Sequence, residues 1–179
     1  MLEIEKKYRL SKERWVSVTA SLTELGAAFI GEDFEVNTIY RGDALSRTGA
    51  VVRIRKTQDR SLLTLKRRVE NQGDVKQQLE YETEISDDIA AAKILTELDL
   101  HPKLVYEKRR KTWRIRDTEV VLDELPFGLF MEIEGSITGI KEAEMLLGLE
   151  DLETEHETYP LLTDRLGKRT GETIEARFP

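Results

Sequence analysis

The sequence predicts an α+β chain in which an eight-stranded antiparallel β-barrel encloses a charged tunnel and is flanked by helices. Three observations carry that expectation. Short segments alternate apolar with charged residues at the two-residue period of a pleated strand. Most of these segments are separated by only a few turn-forming residues, as antiparallel neighbours require. The charges are also sorted by sign, nearly all acidic or all basic on any one strand face. Eight strands suffice to close a barrel with room inside for side chains or one small ligand.

The elements follow in order. In residues 2–10, Leu2, Ile4, Tyr8 and Leu10 share one face and Glu3, Glu5, Lys7 and Arg9 the other. Ser11 can cap a helix whose stripe is Trp15, Val18, Leu22 and Leu25 and which Gly26 ends. A second strand spans 34–41, and DALSRTGA reads as a turn-bearing loop. Strands follow at Val51–Lys56, Leu62–Arg68 and Leu79–Ile85, the last two joined through a hairpin loop at 70–74 in which Gly73 supplies a turn. Ser86–Leu98 reads as a helix capped by Ser86 or Asp87. Val105–Arg116 and Glu119–Leu125 are strands about a tight Asp117-Thr118 turn. Pro126 and Gly128 mark the next turn, before a strand over 129–134. Gly139–Leu147 and Thr158–Leu166 are helices around an acidic loop, and 170–179 reads as a loosely held tail.

The chain has 179 residues, the size of one domain, with 39% apolar and 35% charged residues. Its 28 Lys and Arg against 35 Asp and Glu leave a net charge of -7, which argues against a nucleic-acid partner. With no cysteine, disulfides, thiol catalysis and Cys-based zinc sites are excluded. His101 and His156 lie far apart, so a metal site would be built from carboxylates, which suit Mg²⁺ or Mn²⁺. The N-terminus lacks the apolar stretch of a signal peptide and no segment is long enough to span a membrane, so a cytoplasmic protein is expected.

The position of the charges is the informative feature. Glu3, Glu5 and Lys7 share a face, as do Arg53 and Arg55, then Thr64, Lys66 and Arg68, then Glu80, Glu82 and Glu84, then Lys108 and Arg110. Asp123 lies with Val121, and Glu132 and Glu134 flank Ile133. One such strand alone is ordinarily a solvated face. Solvated faces, however, intersperse opposite charges, because like charges two residues apart repel. Basic pairs on some strands and acidic pairs on others are easier to understand around a ligand carrying both signs. A metal-bound polyphosphate is such a ligand: Arg and Lys hold its oxygens, and carboxylates hold the bridging metal. There is no Gly-x-x-x-x-Gly-Lys loop, so this is not a P-loop site.

At these residues the sequence resembles the CYTH superfamily, the triphosphate tunnel metalloenzymes. Glu3-Ile4-Glu5-Lys6-Lys7 matches the family's EXEXK signature. It is followed in order by Arg53-x-Arg55, Lys66 in LTLK, Glu82-x-Glu84, Lys108-x-Arg110, Asp123, and Glu132-x-Glu134 in FMEIEG. The resemblance runs from residue 3 to about 166. It implies metal ligation by Glu3, Glu5, Glu132 and Glu134 with Asp123, and triphosphate binding by Lys7, Arg53, Arg55, Lys66, Lys108 and Arg110. It further implies catalysis centred on Glu3, Glu5 and Lys66, with support from Glu82 and Glu84. The family often has a basic residue on a C-terminal helix, for which Lys168 and Arg169 are equal candidates, and Tyr40 fits a family aromatic position or the core. Trp15 and Trp113 are read as packing residues, and Arg109 and Lys111 as solvated. The expected activity is metal-dependent hydrolysis of inorganic tripolyphosphate or of a nucleoside or other organic triphosphate. A class IV adenylate cyclase, making cyclic AMP and pyrophosphate from ATP, would use the same clamp, and a non-catalytic polyphosphate or nucleotide binder would keep the clamp without the chemistry. The partners expected are the small-molecule triphosphate and a second copy of the chain in a homodimer.

Overall fold

Alternation along the strands becomes two sides of a ring. The computed structural model describes residues 2–69 and 76–179. The ring-forming strands are β1 (Leu2–Leu10), β2 (Ala28–Arg41), β3 (Ala50–Lys56), β4 (Ser61–Arg68), β5 (Lys76–Ile85), β6 (His101–Ile115), β7 (Thr118–Leu125) and β8 (Gly128–Glu134). Their order is β2-β3-β4-β5-β1-β8-β7-β6, and β6 pairs back onto β2. Every pairing around the ring is antiparallel. Closure depends on β2, which lies along β6 from Ala28↔Arg114 to Arg41↔His101 and meets β3 through Val36–Tyr40. It begins six residues before the expected 34–41 because residues 28–34 are mostly exposed and show no clean alternation.

Helices cover the outer faces. Among the described residues they are α1 (Lys12–Glu24), α2 (Asp43–Thr48), α3 (Asp88–Glu97), α4 (Ile137–Leu147) and α5 (Tyr159–Leu166). Ser11, Asp87, Ser136 and Thr158 cap α1, α3, α4 and α5 by accepting the backbone N–H of Arg14, Ala90, Gly139 and Leu161. Under α1 and α4, Tyr8, Leu22, Trp113, Val120, Met131, Ile133 and Ile140 form one core. Trp15 packs against it. Under α2 and α3 lies a second, with Tyr40, Leu45, Val52, Ile54 and Leu95, so Tyr40 is an outer core residue rather than part of the tunnel.

Three local expectations change. DALSRT is the helix α2, not a loop: Leu45 is buried and Gly49 closes the turn at φ 64°. Six residues are too few to show a helical stripe in the sequence. The tight turn is Arg116-Asp117 rather than Asp117-Thr118, since Ile115 pairs with Thr118 and Arg116 takes φ 52°. The tail is ordered into β9 (Lys168–Thr170) and β10 (Thr173–Ala176), and β10 pairs in parallel with β6 at Ile174↔Leu104. Partners far away in sequence hold it, including Glu107, which accepts from Arg177 at 3.0 Å and from the Phe178 backbone at 2.8 Å. The loop expected at 70–74 lies outside the described residues.

Candidate active site

The inward faces surround a cavity of about 820 Å³. Of the predicted site residues, all but Asp123 and Glu84 line it. The converging side chains come from strands far apart in sequence, because the ring brings β1, β3, β4, β5, β6, β7 and β8 around one axis. The outward-pointing alternates behave as expected of them: Arg109 and Lys111 are about half exposed.

The basic side centres on Arg53 and Arg55 of β3 and Lys108 and Arg110 of β6. Two fully buried carboxylates hold these cations together. Asp123, 0% exposed, accepts from Arg110 Nε at 2.8 Å and Nη2 at 2.6 Å, with Lys108 Nζ at 3.4 Å. Glu35, 2% exposed, lies 3.1 Å from Lys108, 3.8 Å from Arg55 and 4.0 Å from Arg110. Burial would raise the Glu35 pKa, but Lys108, Arg110, Arg55 and Arg53 outweigh it and hold the carboxyl well below the usual range. Lys108 is pushed the other way, its pKa lowered by burial and then by Arg110. Arg110 also donates to Glu132 at 2.8 Å. Glu82 stands 3.5 Å from Arg53 and 3.4 Å from Arg55 and accepts from Thr64 at 2.7 Å. Among the described residues, the buried Nε atoms of Arg53 and Arg55 have no acceptor.

The acidic side is differently arranged. Glu5 of β1, Glu134 of β8 and Glu119 of β7 are cross-strand neighbours in register, and Lys7 faces Glu132 in the next inward position. Like charges in register are unfavourable unless something intervenes. Burial first, then Glu3, Glu119 and Glu5, raise the Glu134 pKa to about 7 against the opposing Lys66. Burial likewise raises Glu3. Lys66 donates to both Glu3 oxygens, at 2.9 and 2.7 Å, and lies 2.9 Å from Glu80. Burial and Arg53 oppose its charge, yet Glu3, Glu5 and Glu80 raise its pKa, so Lys66 is a firm cation and not a proton acceptor.

The donor set suits a hard divalent cation: carboxylates only, at least partly buried, with the Glu3 and Glu134 pKa values raised by burial first and by neighbouring carboxylates after it. Among the described residues no three such groups are already gathered closely enough to share an ion.

One end of the ring is closed by an aromatic and aliphatic plug. Ile39, Leu104, Tyr106, Leu125 and Phe130 meet Tyr159 and Leu162 of α5 there. Lys168 and Arg169 lie exposed on β9, away from the cavity.

Sequence reasoning placed Asp123 among the metal ligands, whereas its oxygens are taken by Arg110, Lys108 and Tyr159. Glu84 is exposed beyond the cavity, and Glu80, from the same strand face, stands against Lys66 instead. Glu35, Glu119 and Tyr159 were missed. Glu35 alternates with Asn37 and Ile39, a mixed face that gives no local hint of four cations around it.

Residues 1–161 match the CYTH domain family. Among solved structures, the PH1012 protein from Pyrococcus horikoshii superposes with a TM-score of 0.76 at 23% identity, covering 89% of this chain and 98% of that one. A proposed adenylate cyclase from Vibrio parahaemolyticus gives 0.70 at 20% identity, covering 89% and 96%. HpAC1 from Hippeastrum, proposed as an adenylyl cyclase and described as having a dominant triphosphatase activity, gives 0.67 at 19% identity, covering 91% and 95%. At these identities the likeness is one of fold. No curated protein matches the chain.

Proposed function

The chain belongs to the CYTH domain family, and from that premise we propose that it is a metal-dependent phosphohydrolase cleaving inorganic tripolyphosphate or an organic triphosphate inside the ring. The observation that carries this reading is the pair of buried, acceptorless Nε–H groups on Arg53 and Arg55 in a cavity with Lys108 and Arg110. Buried donors without partners are costly, and phosphate oxygens would satisfy them. Glu3, Glu5, Glu132 and Glu134 would hold Mg²⁺ or Mn²⁺, which supplies charge neutralisation on the phosphate oxygens and favours ionisation of water.

The chain's own groups do the rest. Arg53, Arg55, Lys108 and Arg110 bind and orient the phosphates, and Lys7 and Lys66 extend the clamp toward the carboxylates. Water forms a new bond to the terminal phosphorus as the bridging P–O bond breaks. The water proton passes to a carboxylate oxygen of the acidic side, and the charge developing on the leaving diphosphate is met by the guanidinium groups. Asp123 and Glu35 keep those cations in place without touching substrate.

Ile39, Val51 and Tyr106 add an apolar stretch to the wall, which favours an organic group beside the phosphates and keeps a cyclase reading in play. The test is incubation with tripolyphosphate and with ATP, each with Mg²⁺ or Mn²⁺. Orthophosphate release is expected. Cyclic AMP with pyrophosphate from ATP would replace hydrolysis with cyclisation, and no turnover of either compound would remove the enzymatic reading.

A further inference from the structure

Tyr159 lies outside the ring strands, yet it meets two cations of the basic clamp and the carboxylate that holds a third. It opens α5, where four consecutive residues, Thr158 to Leu161, border the cavity. Its ring lies under Lys7 Nζ at 4.3 Å and within 5.5 Å of Lys108 Nζ. Its hydroxyl donates to Asp123 Oδ2 at 2.9 Å, on the carboxylate that holds Arg110 through two hydrogen bonds. Phe130 and Tyr106 pack around the ring at centroid distances of 5.4 and 6.2 Å.

We propose that Tyr159 is a positioning residue for the anion clamp: its ring face directs the Lys7 and Lys108 ammonium groups, and its hydroxyl fixes Asp123 so that Arg110 is held for binding. This rests on the triphosphate reading above. Aromatic faces attract ammonium groups without neutralising them. A further carboxylate in the same place would hold the lysines but add to the negative charge already beside them, which opposes phosphate binding. The tyrosine therefore orients cations without adding negative charge to that of Glu35, Asp123 and Glu132.

The placement of Tyr159 is itself secured from the C-terminal side. The Thr163 hydroxyl donates to the Tyr159 carbonyl at 2.8 Å, and α5 packs on β10. Gly167 lies so close to this junction that a Cβ would stand 2.5 Å from the Thr163 carbonyl oxygen and 2.8 Å from Ile174 Cγ2. The strand expected to be a loose tail thus backs the helix that supplies Tyr159.

The experiment is calorimetric binding of tripolyphosphate in EDTA, below the unfolding range, for the wild type, Tyr159→Leu, Tyr159→Phe and Leu162→Ala. Leu162 is fully buried in the same plug and touches none of the clamp cations in the interactions described, so its variant reports loss of packing alone. Tyr159→Leu should weaken binding roughly 10- to 100-fold, and Tyr159→Phe, which keeps the ring, about 3- to 10-fold. Leu162→Ala should lower the thermal midpoint while changing affinity less than about twofold. Binding by Tyr159→Leu within twofold of wild type, or a loss matched by Leu162→Ala, would overturn the proposal. A wild type that does not bind tripolyphosphate at all would instead overturn the function on which it rests.

Discussion

The basic side of the cavity carries its own buried counter-charges, whereas the acidic side sets three carboxylates side by side in register. Arg110 and Lys108 have Asp123 and Glu35 beside them, both fully buried. Glu5, Glu134 and Glu119 stand as cross-strand neighbours, and Lys66 opposes the rise of the Glu134 pKa. The two sides share strands: β8 gives Glu132 to Arg110 and Glu134 to the carboxylate row. What separates them is the partner across the ring, not the local sequence. The consequence is a clamp held together by buried ion pairs and a carboxylate row whose like-charge repulsion a cation would relieve.

Removing a buried counter-charge should have the largest effect. Asp123→Ala removes one of the two buried counter-charges of Arg110 and Lys108 and should cost ~3–5 kcal/mol, read as a lower urea midpoint. A change below ~1 kcal/mol would mean that the basic side is not held together in this way. Next is Arg53→Ala, which should weaken tripolyphosphate binding about 100-fold, ~2.7 kcal/mol, in calorimetry, while the thermal midpoint moves only a few degrees. Equal losses of binding and stability would make Arg53 a structural residue. Glu134→Gln should leave the metal-free protein at least as stable as wild type and reduce its apparent Mn²⁺ affinity about tenfold, measured as the thermal shift against Mn²⁺ concentration. Loss of metal-free stability would erase the contrast between the two sides.

The smallest effect is on pH. The Glu35 carboxyl is depressed, so its contribution is complete above its ordinary value of 4.5 and is lost as pH falls below it. The Glu134 carboxyl is raised to about 7 from 4.5, so ionising it opposes folding, and this group stabilises the metal-free protein as pH falls through 7 toward 4.5. The thermal midpoint in EDTA should therefore rise from about pH 8 to about pH 5 and fall below about pH 4. Glu134→Gln should flatten the first limb, which adding Mn²⁺ should also suppress.

Much of this was readable in the chain. Strict alternation at Arg53-Ile54-Arg55 and Glu132-Ile133-Glu134 assigns charged and apolar faces without knowing any partner, since Cβ direction alternates in every strand. The same logic failed at Asp123, whose face was right and whose role was not. A carboxylate binds whichever cation the fold brings to it, and here that is Arg110 and Lys108. Glu35 was invisible for the same reason: its partners come from β3 and β6, and nothing within a few residues of it signals them. Glu84 shows the reverse error, since a regular acidic run continued past the point where β5 leaves the cavity.

The amino-acid order by itself determined which side chains share a face, where helices begin at Ser11, Asp87 and Thr158, and that acidic and basic groups would be segregated by strand. These are local properties, set by backbone period and by capping hydrogen bonds within a few residues. Ring closure through β2 and β6, the burial of Glu35 and Asp123 among arginines and lysines, and the docking of Tyr159 beneath two of those cations were decided by tertiary structure. Each depends on pairing across large sequence separations, where the energy of a charge is set by the neighbour it meets and by its distance from water.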